Sequence, residues 1–185
     1  MPWHALRRAG VPICLGSDEA IVDDSINLWF VAKTAALLHT ISNSEYRDWP
    51  TAATMLAALT RGGARALRRS ANLGQLAPGV AADLVLLDLD TLAFTPLNDL
   101  KRQLVFCEDG SSVRYTIVAG RVVFEDGRVT TVDERALRAE ARELMAEQRE
   151  PMARAAEQAA RLEPHYREMY LRALGCEVVV NRWLN

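Results

Sequence analysis

Ala9-Gly10-Val11-Pro12-Ile13-Cys14-Leu15-Gly16-Ser17-Asp18-Glu19 is the stretch on which the fold turns. Val11, Ile13 and Leu15, with Cys14 between them, make a short, wholly apolar run that Gly16 closes. Strands buried on both faces of a parallel sheet carry such runs, whereas strands with one wet face alternate apolar and polar residues. The run therefore predicts a buried parallel strand, with Cys14 an inert small hydrophobe inside it and Ser17, Asp18 and Glu19 delivered to its carboxyl end. (β/α) barrels place catalytic groups at that end of their strands, so Asp18 is the candidate catalytic side chain. Taken alone the position is weak ground, because an aspartate after a strand more often forms a turn or caps a helix.

Working outward, Pro2 to Ala9 reads as a short helix ended by Gly10, since proline is tolerated in a first turn and glycine suits the position past the end. Glu19, Asp23 and Asp24 follow the strand and either line a substrate mouth or form a capped, solvated loop. From Ser25 to Ile41 most positions are apolar, which predicts a helix nearly surrounded by other protein. Trp29 lies within it and reads as core before it reads as a platform for a flat substrate. Thr51 can cap a further helix through Met55, Leu56 and Leu59, broken at Gly62 and Gly63, with another turn or two reaching Leu67.

Near Ser70 the character changes. Gly74, Pro78 and Gly79 punctuate the chain, and Ala82 to Leu89 is β-like. Val113, Tyr115 and Ile117 alternate with polar residues, Ala119-Gly120 and Asp126-Gly127 supply turns, and the result is a three-strand meander. Asp83 reads as a structural bond to the backbone of this region. Beyond Asp133, a helix cap, Leu137, Ala141, Leu144, Gln148, Met152, Ala155, Ala159 and Leu162 recur at steps of three or four, with Gln148 the polar exception. That is a long amphipathic helix, kinked or split at Pro151 and ended at Pro164, with His165 to Leu174 forming another. Glu150 with Arg154 and Glu157 with Arg161 are spaced for pairing on its wet side.

Composition narrows the function classes. Half of the 185 residues are hydrophobic, enough for a folded core. With 22 basic and 24 acidic residues there is no broad positive surface for nucleic acid or anionic lipid. Cys14, Cys107 and Cys176 form neither a CxxC pair nor an even disulfide framework, and no uncharged apolar run is long enough to span a membrane. A soluble protein of the reducing cytoplasm is expected.

Four blocks carry a family resemblance. They are Ala9-Gly10-Val11 through Gly16-Ser17-Asp18, Ala58-Leu59-Thr60-Arg61-Gly62-Gly63-Ala64-Arg65-Ala66-Leu67, Leu73-Gly74-Gln75-Leu76-Ala77-Pro78-Gly79 through Asp83-Leu84-Val85, and Val113-Arg114-Tyr115-Thr116-Ile117-Val118-Ala119-Gly120-Arg121-Val122-Val123. In order and spacing, over residues 1 to about 132, they resemble the C-terminal third of the amidohydrolase superfamily. The branch they suggest holds chlorohydrolases, guanine-type deaminases and methylthioadenosine/S-adenosylhomocysteine deaminases. The resemblance implies an α/β fold. Residues 1–70 would be the end of a (β/α)8 TIM-type barrel, 71–132 a small β-domain of composite β-sandwich type, and 133–185 a helical tail.

It also implies chemistry. In that family a divalent metal, zinc foremost, is held by a His-x-His pair, two later histidines and an aspartate after the last barrel strand. Asp18 matches the aspartate, as metal ligand and as the group that moves the water's proton. A catalytic zinc site takes about three protein ligands, and His4, His39 and His165 form no His-x-His pair, so each reads as structural. The chain is therefore expected to be one part of a metal-dependent deaminase acting on a small heterocycle such as an aminopurine. It would lack an N-terminal barrel portion, retain no metal alone and be inactive alone. An amidase or cyclic-amide hydrolase of the same superfamily is the rival within enzymes. The rival outside them is a non-catalytic module whose tail helix serves homo-oligomer formation or partner binding.

Overall fold

Glycine and proline punctuation sets the first elements. In the computed structural model, which describes residues 2–18 and 25–176, α1 spans Trp3–Arg8 and gives way to Gly10 at φ +69°, a conformation glycine adopts without strain. The expected strand after it is not formed as a ladder: residues 11–18 pair with no strand among the described residues. A strand exists only by exchanging hydrogen bonds with a neighbour, and parallel neighbours must come from distant sequence. What survives is the period of two. Ile13 and Leu15 face protein, while Pro12, Cys14, Gly16 and Asp18 are exposed. Cys14, expected to be buried, is thus exposed, because only one face of its segment is covered. Glu19, Asp23 and Asp24 lie outside the described residues.

The helix α2 spans Leu28–Ile41, and Asn27 caps it, its Oδ1 accepting from the N–H groups of Trp29 (2.9 Å) and Phe30 (3.3 Å). A single turn at Tyr46–Asp48 leads to α3, Ala52–Ala57, whose first turn is held by Thr51 Oγ1 accepting from Thr54 N–H at 3.2 Å. The expected break at Gly62 and Gly63 does not occur. The chain passes through a π-helical turn, Ala58–Gly62, into α4, Gly63–Ala66. Glycine weakens a helix by about 1 kcal/mol without forbidding it, and both glycines keep helical angles, φ −62° at Gly62 and −58° at Gly63.

Trp3, Ala32, Ala36, Ala52, Met55 and Val105 form the buried core of these helices, with Ile13, Leu15 and Leu59 packed against it. The small alanines let the helices approach closely around Trp3 and Met55. Val105 belongs to α5, Leu100–Phe106, which the sequence reading does not anticipate: seven residues are too few to establish a 3.6-residue period. Asp99 caps it through Arg102 N–H at 3.0 Å.

Between and after these lies a four-stranded antiparallel sheet in the order β1-β2-β3-β4, with β1 at Leu84–Leu87, β2 at Val113–Val118, β3 at Arg121–Glu125 and β4 at Arg128–Val129. Two hairpins join its last three strands. Their tips carry paired positive φ angles, +50° and +81° at Ala119-Gly120 and +44° and +84° at Asp126-Gly127, as tight hairpin turns require. Asp83 bonds the backbone as expected, its Oδ1 accepting from Ala119 N–H at 2.7 Å, which ties the entry of β1 to the first hairpin tip.

This first unit runs to Thr130; a second begins at Thr131. The second is built on one helix, α6, Glu134–Leu174, capped by Asp133 Oδ1 at 3.0 Å from the N–H groups of both Arg135 and Ala136. Pro151 and Pro164 lie inside it, so the expected split and the expected stop at Pro164 are both corrected. Proline's ring holds φ near the helical value, and each proline forfeits one hydrogen bond of a long ladder. The side-chain ion pairs seen along α6 are Glu150–Arg154 and Glu168–Arg172, each 2.6 Å. No helix among the described residues is long and apolar enough to cross a membrane.

Candidate functional site

The segment 11–18 is positioned by backbone-to-backbone packing, and glycine makes that contact. A Cβ at Gly62 would stand 2.6 Å from the Ile13 carbonyl oxygen and 3.2 Å from Cys14 Cα, so the π-helical turn lies directly against this segment. Gly74, at φ +81°, closes on the other side of the same turn, where a Cβ would be 2.7 Å from Thr60 O and 2.8 Å from Ala64 Cβ. Sequence reasoning took Gly62 and Gly74 as punctuation. The only signal of their packing role was their place inside the quoted blocks.

Asp18 ends the segment. It is exposed, and its φ of +57° lies in the left-handed region, where aspartate and asparagine are the most tolerated residues after glycine. Among the described residues its carboxylate has no hydrogen-bond or ion-pair partner; Ser17 Oγ reaches only the Asp18 carbonyl, at 3.5 Å. A groove lined by Arg7, Arg61 and Arg65 meets the other end of the segment, at Gly10 to Ile13, away from Asp18.

On the far side of the residues that follow Asp18, Asn27 is anchored twice. Besides capping α2, its Nδ2 donates to Asp109 O at 2.6 Å. The loop it grips is stiff: Glu108, 3% exposed, accepts through Oε1 from Gly110 N–H (2.6 Å) and Ser112 N–H (3.2 Å). The hydroxyl and N–H of Ser111 hold the Asp109 carboxyl below its usual range. Trp29 packs beside Gly110 and is half-buried, a structural placement.

His4 and His39 lie together, in structural contacts. His4 is buried, with Nε2 2.7 Å from the His39 carbonyl oxygen, and the His39 ring stacks on Trp3 at 5.2 Å with planes 16° apart. Burial, followed by nearby positive charge including that of His4, lowers the pKa of His39. His165 is exposed on α6. Among the described residues no group of three or more His, Cys, Asp or Glu side chains could hold a metal ion. These residues therefore do not make up a metal centre by themselves: Asp18 can supply one ligand where about three are needed.

Comparison with known proteins supplies the context. Residues 1–124 match the sequence profile of the Amidohydrolase family. The chain is 38% identical over 125 residues to a 5-methylthioadenosine/S-adenosylhomocysteine deaminase from Desulfovibrio desulfuricans, covering 68% of this chain and 28% of that protein. It is 34% identical over 125 residues to a 5'-deoxyadenosine deaminase from Methanosarcina mazei, with the same coverage. The chain thus spans little more than a quarter of the length of these relatives. An adenosine deaminase from Xanthomonas campestris solved with bound zinc superposes with a TM-score of 0.76 at 32% identity, over 80% of this chain and 34% of that one. Atrazine chlorohydrolase from Arthrobacter aurescens, complexed with zinc, superposes at 0.71 with 27% identity, over 77% and 32%. By these matches in sequence and in structure, the chain belongs to the amidohydrolase family.

Proposed function

We propose that this chain is the closing portion of a metal-dependent deaminase, and that Asp18 is its contribution to the reacting centre. One observation carries the reading. Ile13 and Leu15 pack on the helices while Cys14 and Gly16 between and after them are left uncovered, and Asp18, two residues further on, is exposed, the disposition expected of a last barrel strand whose neighbours and metal-binding histidines lie on other segments. On this reading residues 1–70 end a (β/α)8 barrel, and the sheet belongs to a small β-domain beside it. The relatives named for adenosine-type substrates favour an aminopurine nucleoside as substrate.

A divalent ion, zinc by analogy with the solved relatives, would lower the pKa of a bound water towards about 7. This chain's part is the proton. With the ion and its water supplied by the complete site, Asp18 would accept the water's proton as oxygen adds to the ring carbon and would pass it to the amino nitrogen, which would leave as ammonia. An exposed carboxylate with no competing partner among the described residues suits both transfers. Among the described residues Asp18 is the one ligand on offer, and the chain alone is expected to be inactive.

The test is complementation. The chain is co-expressed with the portion of the Desulfovibrio desulfuricans deaminase that it does not match, co-purification is checked, and ammonia release from 5'-methylthioadenosine is measured with zinc. Activity is expected in the complex only and is lost in Asp18→Asn. Stoichiometric zinc and turnover in the isolated chain would overturn the incompleteness, and an Asp18→Asn complex of unchanged rate would remove Asp18 from the chemistry.

A further inference from the structure

The unbroken course of α6 through Pro164 lengthens its apolar stripe. Tyr166, Met169 and Ala173 fall in line with Leu137, Ala141, Leu144, Gln148, Met152, Ala155, Ala159 and Leu162. From Leu137 to Ala173 the steps average 3.6 residues, so the stripe stays within an arc of about 100° and runs straight for about 54 Å. It is bare: Leu137 is 56% exposed, Leu144 52%, Met152 53%, Leu162 49% and Met169 60%. Pro164 points away from the stripe, and Pro151 sits at its edge.

We infer that α6 pairs with α6 of a second copy of this chain, antiparallel, about a two-fold axis near Ala155. The sizes of the stripe residues favour that direction. With Ala155 on the axis, Leu137 meets Ala173 and Ala141 meets Met169, so large side chains enter hollows left by alanines, and Met152 falls one residue short of the level of Ala159. Leu144 against Tyr166 and Gln148 against Leu162 complete the seam. A parallel pair would set each residue against itself, alternating crowded layers with empty ones.

Charge agrees independently. Along one edge of the stripe stand Glu140 and Glu147 in the first half and His165 and Arg172 in the second. Antiparallel packing brings that edge of one helix to the same edge of the other, placing Glu140 beside Arg172 and Glu147 beside His165. On the opposite edge Arg138 meets the Tyr170 ring. Parallel packing joins unlike edges, where Glu140 would face Met145 and gain nothing. An isologous contact of this kind is self-complementary and closes at two copies.

The experiment is analytical ultracentrifugation of the full chain and of tail variants, with helicity followed by circular dichroism. The parent should sediment at twice the 20.5 kDa of one chain. Leu144→Glu should weaken the dimer by about a hundredfold or more, since it buries two charges in the seam. Glu157→Lys, on the far side of the helix, should not. Glu140→Arg should weaken it about tenfold, with two exposed pairs lost at about threefold each, and adding Arg172→Glu should restore it. That restoration requires the antiparallel arrangement, because in parallel helices the two positions lie about 48 Å apart. A monomeric parent, an oligomer indifferent to Leu144→Glu, or a Glu140→Arg/Arg172→Glu protein no better than Glu140→Arg would each overturn the proposal. So would a tail that proves covered by its own chain.

Discussion

Adding one methyl group at Gly62 tests whether helix-to-segment backbone contact is what holds residues 13 to 18 in place. In an open helix Gly→Ala stabilises by about 0.5–1 kcal/mol, and Gly62 already has a backbone alanine would accept, φ −62° and ψ −49°. Here, though, the new Cβ would sit 2.6 Å from Ile13 O and 3.2 Å from Cys14 Cα, both backbone atoms that no rotamer change can move. Overpacking of that kind costs about 1–3 kcal/mol, so the collision outweighs the propensity gain and Gly62→Ala should destabilise by about 1–2 kcal/mol net. The neighbouring glycine is the internal control. A Cβ at Gly63 meets nothing within 4 Å, and Gly63→Ala should stabilise by about 0.5–1 kcal/mol. Urea unfolding followed by tryptophan fluorescence measures both. If Gly62→Ala gains stability as Gly63→Ala does, the segment is not seated on the π-helical turn and the placement of Asp18 loses its support.

Three further outcomes follow from the geometry. Asn27→Ala removes the cap of α2 and the 2.6 Å bond to Asp109 O together, and should cost about 1–2 kcal/mol in the same unfolding experiment. His39 has a folded-state pKa below its ordinary value of 6.5, so the unfolded chain takes up its proton first. Stability should be full above about pH 6.5 and fall as the pH drops below it, and His39→Gln should flatten that part of the profile. Asp18→Asn should leave unfolding unchanged to within about 0.5 kcal/mol, because the side chain is exposed, has no partner among the described residues, and asparagine tolerates its φ of +57°. A large loss would make Asp18 a structural cap.

Local chemistry was legible along the chain. Thr51 and Asp133 cap helices because a side-chain oxygen next to free N–H groups needs no distant partner. The two hairpin tips and the strands around them follow from turn residues and alternation alone, and so does the contact of Asp83 with the backbone. The amphipathic tail was plain in its periodicity, whereas its passage through Pro164 was not, since local steric rules make proline a stop and only the extended helical ladder overrides it. The short helix Leu100–Phe106 was invisible because its stability comes from Val105 entering a core built by residues far away in sequence.

Asp18 belongs to both accounts. The apolar run before it marked it as a strand-end carboxylate, which is a property of a dozen residues and their order. Its exposure, the backbone contact at Gly62 that seats its segment, and the contacts that occupy His4 and His39 are decided by tertiary structure. These depend on which surfaces meet, and no periodicity records a contact between a helix and a segment some fifty residues upstream. Ladder formation is likewise a property of pairs of strands, so residues 11–18 carry the composition of a buried strand and show none of its hydrogen bonds among the described residues.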